Sequence, residues 1–194
     1  MRKITAGLFI SLDGVVAEPQ TWHFPYYNDE MGAAVMGDIQ ASDTFLFGRT
    51  TYEAFAEAWP ERERAGGEDA GLAKDFGDTR KVVVSSRDLD FTWRNSEQLE
   101  GDFLDGVKAL KAEGGDGNIA VTGSVSLVRQ LLAAGLLDEL RLLVHPIVLG
   151  EGLRLFADGE GPYPLKLLKS ETFTTGVMHL LYAPADAPQP PAAD

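Results

Sequence analysis

The sequence contains no cysteine, which excludes a disulfide framework, a thiolate metal site and a cysteine nucleophile, and which suits a reducing compartment. Basic residues are in deficit: 17 Lys and Arg stand against 30 Asp and Glu, a formal charge of −13. Such a surface repels phosphate backbones and anionic headgroups, so neither nucleic acid nor a membrane is expected as a partner. Histidine is scarce, with His23, His145 and His179 scattered along the chain, and no metal site can be argued from them. His145 and His179 are read as structural, off any ligand-binding rim. No apolar run approaches the roughly 20 residues that a membrane helix needs. Residues 4–10 are too short for the core of a signal peptide and run into polar Ser11-Leu12-Asp13 without a small-residue cleavage site. A soluble, cytoplasmic protein is expected. At 194 residues, against a prior of roughly 150 per domain, the chain makes one sizeable domain.

What is present is an alternation of apolar runs with helical patterns. Residues 4–10 read as a strand, and Met31, Val35 and Ile39 then recur at four-residue spacing, on one face of a helix. Residues 44–47 form a short apolar run. Tyr52, Phe55 and Trp59 follow at helical spacing, a pattern that Pro60 is expected to stop. Residues 61–78 are charged and read as a surface excursion with one short helix around Leu72 and Phe76. Val82-Val83-Val84 is a buried strand candidate. Asp102 caps a helix bearing Phe103, Val107 and Leu110, which Gly114-Gly115 ends. Residues 119–121 give another strand, and Val125, Val128, Leu131 and Leu132 another helix. Extended runs at 140–149, 165–173 and 177–182 close the chain, the last two joined by Thr174-Thr175-Gly176 as a hairpin. The Pro/Ala-rich residues 184–194 are expected to be disordered. Apolar strands separated by helices imply an α/β domain over 1–183, with a mostly parallel central sheet, helices on both faces and an antiparallel C-terminal hairpin.

In an open α/β sheet, ligands bind beyond the carboxyl ends of the strands. Three runs empty there onto similar chemistry: Gly48-Arg49-Thr50-Thr51, Ser85-Ser86-Arg87 and Thr122-Gly123-Ser124. Glycine lets backbone N–H groups approach a ligand, hydroxyls and helix N-termini donate hydrogen bonds, and arginine supplies a planar bidentate cation. Together they suit a phosphate-bearing small molecule. Gly114-Gly115-Asp116-Gly117 precedes a strand and reads as a turn, so no dinucleotide glycine fingerprint occurs.

Segment by segment the chain resembles the dihydrofolate reductase superfamily, and more closely the C-terminal reductase domain of the bifunctional riboflavin-biosynthesis deaminase/reductase and its stand-alone bacterial relatives. The resemblance is carried by Ser11-Leu12-Asp13-Gly14, by Leu46-Phe47-Gly48-Arg49-Thr50-Thr51-Tyr52-Glu53, by Val84-Ser85-Ser86-Arg87 and by Val121-Thr122-Gly123-Ser124. Leu136-Leu137-Asp138-Glu139-Leu140, leading to Pro146-Ile147-Val148-Leu149-Gly150-Glu151-Gly152, completes it. It implies a dihydrofolate reductase-like three-layer fold, NADPH as cofactor, and homodimers. Arg49, Thr50, Ser85, Ser86 and Arg87 would hold the adenosine end and its 2′-phosphate, with Gly48 in the same segment. Gly123 and Ser124 would lie against the pyrophosphate, and residues 11–17 would border the nicotinamide.

The activity implied is NADPH-dependent reduction of a small planar heterocycle, pterin- or pyrimidine-like, akin to dihydrofolate reductase or to 5-amino-6-(5-phosphoribosylamino)uracil reductase. Hydride transfer asks the protein to position the acceptor, exclude water and supply a proton. Asp13 and Asp29, the latter beside Glu30 at a helix start, are the candidate catalytic carboxylates. Trp22 and Tyr26, near His23 and Tyr27, are candidates for stacking the substrate. The alternative is a nucleotide-binding or dimeric interaction protein that keeps the fold without turnover.

Overall fold

The computed structural model describes residues 1–67, 70–156 and 158–186. Strand β1 (Ile4–Ser11) lies at the centre, and helix α1 (Asp29–Gln40) leads to β2 (Ser42–Gly48). Helices α2 (Arg49–Ala65) and α3 (Ala70–Asp78) precede β3 (Arg80–Val84) and the short β4 (Ser96–Gln98). Helix α4 (Phe103–Ala112), β5 (Asn118–Val121), α5 (Val125–Ala133) and β6 (Glu139–His145) follow, and β7 (Leu165–Thr172) and β8 (Met178–Pro184) form the closing hairpin. The sheet order is β4-β3-β2-β5-β1-β6-β8-β7. The first six strands in that order pair parallel, and β8 pairs antiparallel with β6 and β7.

Alternation along the strands divides the core into two layers. Ile4, Ala6, Leu46, Val82, Ile119 and Val121 face one side, packed with Val107 and Leu110 of α4 and Leu127 to Leu132 of α5. Phe45, Phe47, Val83 and Ala120 face the other, against Ile39 of α1, Tyr52 of α2 and Phe76 of α3. Each large apolar side chain so buried contributes ~1.5–3 kcal/mol, and polar residues in β2, β3 and β5 gather mainly at the strand starts. Lys81 is one of these, in β3. It is fully buried, yet its ammonium donates to the carbonyls of Phe76, Gly77 and Thr79 at 2.7, 3.0 and 2.6 Å and lies over the Trp93 ring. It thereby closes the C-terminus of α3.

Several boundaries differ from the sequence reading. Pro60 lies inside α2. The helix runs on because the turns beyond the proline are anchored sideways: Arg62 sits over the Trp59 ring at 4.8 Å, and Glu63 pairs with Arg94 at 2.6 Å. Strand β6 stops at His145, since Pro146 has no N–H to continue the ladder. Strand β4 has no apolar run to announce it and is held by β3 through Lys81↔Ser96 and Val83↔Gln98. Pro184 is the last residue of β8, and the Ala185 N–H donates to the Pro164 carbonyl, so order extends into the stretch read as a disordered tail. Residues 187–194 of that stretch lie outside the described residues.

Candidate functional site

Strands β2 and β5 are neighbours, yet the helices that follow them diverge: α2 covers one face of the sheet and α5 the other. At the carboxyl ends of these two strands the divergence opens a crevice, the position where α/β sheets admit ligands. A cavity of about 220 Å³ lies there, lined by Gly48, Arg49, Thr50, Val84, Ser124 and Gln130 among others.

Both helices begin at this crevice without a side-chain cap. Gly48 stands at the N-cap of α2 and can offer none, and the Ser124 hydroxyl at the N-cap of α5 is hydrogen-bonded to the Ser126 hydroxyl at 2.9 Å instead. Elsewhere Asn28 caps α1 and Asp102 caps α4 through their side chains. The crevice therefore receives the positive ends of two helix dipoles together with uncapped N–H groups, an arrangement that favours an anion. The two starts are also very close. A Cβ on Gly48 would lie 2.7 Å from the Ser124 Oγ, and one on Gly123, whose φ is +144°, would lie 3.1 Å from the Thr51 Oγ1. The positive φ calls for glycine at 123, a side chain at 48 would have to displace that of Ser124, and the peptide between Gly123 and Ser124 is cis.

Arg49 is the first residue of α2 and lines the crevice, with its Nη1 donating to both carboxylate oxygens of Glu53 one turn on, at 3.0 and 2.9 Å. Thr50 is exposed beside it. Strand β3 brings the third segment alongside β2. Within it, the Ser85 hydroxyl donates to the Arg87 carbonyl and accepts the Arg87 N–H, folding a tight turn that leaves Ser86 and Arg87 exposed. The structure thus gathers the three segments on one rim. Ser126 and Gln130, one turn apart on α5, join them at the cavity; the sequence reading followed only the apolar positions of this helix and passed over its polar stripe.

Asp13 sits further along the rim, beyond β1. Its carboxylate accepts the Ser11 hydroxyl at 2.7 Å and the N–H groups of Leu149 and Gly150 at 3.1 and 2.9 Å, and the Arg154 guanidinium donates to its carbonyl at 3.0 Å. The Ser11 bond, followed by the two backbone bonds, lowers its pKa to about 2. Asp13 is therefore an ionised staple between the loop after β1 and the loop after β6. Asp29 is the exposed first residue of α1. Glu30 accepts the Thr174 N–H and hydroxyl at 2.8 and 2.6 Å, which with Asn28 holds its pKa below the ordinary range and ties α1 to the hairpin turn.

Trp22 is buried, its indole N–H donates to the Ala17 carbonyl, and its ring meets His145 edge-on at 5.1 Å. It anchors its loop and has no free face for a ligand, contrary to the stacking role expected of it. Tyr26, half-buried, also packs edge-on against His145 at 5.6 Å. His145 itself belongs on the rim, a second correction: it ends β6 and pairs in register with Ser11. Its Nδ1–H donates to the Leu143 carbonyl at 2.8 Å, and its Nε2 is buried without a partner. His23 stacks on Phe9 at 4.5 Å beside it. Burial lowers the pKa of both imidazoles and keeps them neutral. Among the described residues no cluster of three metal-ligating side chains occurs, and no helix is long and apolar enough to cross a membrane.

The family model of the RibD C-terminal domain matches residues 2–179. An uncharacterized protein of Bacillus subtilis, YyaP, is 28% identical over 184 residues, covering 93% of this chain and 94% of its own length. A putative riboflavin biosynthesis protein from Shewanella superposes with a TM-score of 0.71 at 18% identity, covering 94% of this chain and 99% of that one. Dihydrofolate reductase from Enterococcus faecalis, in complex with NADP(H) and RAB-propyl, superposes with a TM-score of 0.60 at 13% identity, covering 95% and 97%. The fold is dihydrofolate reductase-like.

Proposed function

The chain belongs to the RibD C-terminal domain family, and from that premise we propose that it is an NADPH-dependent reductase that delivers a hydride to a small planar heterocycle, pterin- or pyrimidine-like. The observation that carries this reading is the crevice at the divergence of α2 and α5, where two uncapped helix N-termini meet over Gly48 and Ser124 beside Arg49. The cradle fits a pyrophosphate: side chains are absent where the backbone must approach, and N–H groups and hydroxyls are present. Arg49 and Arg87, with Thr50, Ser85 and Ser86, would hold the adenosine end and its 2′-phosphate, for which guanidinium is the fitting partner. When bound, the nicotinamide supplies a hydride. The residues beyond β1 hold the acceptor end in shape: Asp13 staples the two loops, and the Trp22 and His145 cluster supports the chain between β1 and α1.

A second reading is favoured by Asp13. A carboxylate saturated with donors and held near pKa 2 is a poor proton donor, so a nucleotide-binding protein without turnover is the alternative. Oxidation of NADPH followed with panels of pterins and pyrimidines separates the two, repeated in Asp13→Asn and Asp29→Asn. Turnover that falls in Asp29→Asn makes Asp29 the proton donor. Saturable NADPH binding without oxidation on any panel member selects the alternative.

We also propose a homodimer built on the open edge of the sheet. Strand β7 is exposed along nearly its whole length, with Leu167 and Leu168 half exposed, and an edge of this kind pairs readily with a second copy.

A further inference from the structure

Charge is divided along the rim, and the division bears on the acceptor. The crevice end carries Arg49 and Arg87 together with Glu53, Asp88 and Asp90, so cations and carboxylates are mixed there. Beyond β1 and β6, residues 11–30 and 145–156 carry Asp13, Glu18, Asp29, Glu30 and Glu151 against Arg154 alone. That arginine is already committed: its Nε donates to the Asp13 carbonyl at 3.0 Å, its Nη2 to the Gly150 carbonyl at 3.3 Å, and Nη2 lies 3.6 Å from the Asp13 carboxylate. The hairpin turn that closes this end, residues 172–178, bears no charge. Glu18, Asp29 and Glu151 are exposed.

Large apolar side chains are exposed there as well. Leu12 is 63% exposed and Val148 67%, and the bond from the Leu12 N–H to the Ile147 carbonyl at 2.8 Å holds their two loops together. Phe24 and Tyr27, on the loop between β1 and α1, are 60% and 53% exposed. A parallel strand is ~4.8 Å wide. The end of β1 is therefore one strand from β5 and the end of β6 two, so this surface begins where a dinucleotide lying in the crevice would reach out along the rim.

We infer that the acceptor is a planar heterocycle without phosphate or carboxylate, seated against Leu12 and Val148. The inference rests on the reductase reading for its location and goes beyond it in chemistry. A phosphorylated acceptor is held by Lys or Arg, and in these segments Arg154 faces five carboxylates, with its Nε and Nη2 turned to the Asp13 and Gly150 carbonyls. It would also approach an end of the rim whose two segments carry exposed Glu18, Asp29 and Glu151, a field that salt screens over ~8 Å. An uncharged ring with apolar substituents meets neither obstacle and covers surface that is otherwise left to water. The acceptor class thus differs from the phosphoribosylaminouracil of the riboflavin-pathway reductase.

Fluorescence titration of the full-length protein, with and without saturating NADP+, tests this on matched pairs: 6-methylpterin against 6-carboxypterin, and riboflavin against riboflavin 5′-phosphate. The neutral member of each pair is expected to bind at least about tenfold more tightly. The gap is expected to shrink as salt is raised and in Glu151→Lys, which reverses one charge. Anionic members binding as tightly as neutral ones, or no binding of either, overturns the inference. A gap indifferent to both salt and Glu151→Lys also overturns it, because discrimination would then lie in shape. NADPH binding, read separately by thermal shift, keeps the two proposals apart. Loss of the cofactor effect with the pairs still discriminating removes the reductase reading, and an intact cofactor effect with pairs that do not discriminate removes only the acceptor class.

Discussion

Gly48 and Ser124 face each other so closely that the smallest possible side chain at position 48 would lie 2.7 Å from the Ser124 Oγ. Two helices on opposite faces of the sheet start at this contact, and the proposed anion site depends on their backbones staying bare. Gly48→Ala therefore makes the helix starts separate. We expect a cost of ~1–3 kcal/mol in stability, as for overpacking elsewhere, and an affinity for NADPH at least about tenfold lower. Chemical denaturation and direct titration check the two effects separately, and an alanine variant that binds NADPH normally would show the contact to be irrelevant to the ligand.

The staple made by Asp13 titrates in acid. Its folded pKa, about 2, lies below the ordinary value of 3.8, so its contribution to stability is fully present above the unfolded value and is lost as pH falls through about 2. Asp13→Asn is expected to lower the melting temperature at neutral pH and to remove this part of the acid dependence. Melting curves between neutral pH and pH 2 on both proteins measure the difference.

Three buried imidazoles act at higher pH. The pKa values of His23, His145 and His179 are each lowered from 6.5, first by desolvation. Below 6.5 the unfolded chain binds more protons than the folded one, so stability is fully present above 6.5 and declines as pH falls below it. His145→Phe removes one of the three titrations and the unpartnered Nε2, so its melting temperature should depend less steeply on pH between 7 and 5. An unchanged slope would mean that His145 does not titrate with unfolding.

The exposed edge gives a prediction about assembly. Leu167→Lys together with Leu168→Lys is expected to convert a homodimer to monomers with the fold retained, since both side chains already reach solvent. Sedimentation of both proteins over a range of concentrations decides it, and a wild-type chain that is monomeric throughout contradicts the proposed dimer.

Much of the fold was legible because the central strands each hold a short, fully buried apolar run. Phe45-Leu46-Phe47 and Val82-Val83-Val84 announce two-faced burial, and the residues after them mark the rim without any structure. Ser96-Glu97-Gln98 could not be read as a strand, because its place at the sheet edge rests on backbone pairing with β3 alone. Pro60 misled for a related reason: anchoring of Trp59 on Phe76 and of Glu63 on Arg94 outweighs the local cost of the proline, and such contacts are nonlocal. The role of Trp22 and the rim position of His145 were hidden too, since aromatic residues that stack a ligand and aromatic residues that anchor a loop look alike until burial separates them. The charge of −13 argued against extended polyanions, and the proposed cofactor site, two helix starts beside Arg49 at one crevice, asks only for a small anion.

The central claim is that this crevice holds NADPH through its 2′-phosphate, and thermal unfolding with NADPH and NADH, for the wild-type chain and for Arg49→Ala plus Arg87→Ala, tests it most directly. NADPH at a hundredfold excess over its dissociation constant should add about 2.7 kcal/mol, or roughly 5–11 °C for a domain of this size. NADH at the same concentration should add less, and the double variant should respond to both cofactors alike. No shift with NADPH, or a double variant that keeps the full preference for it, would contradict the claim.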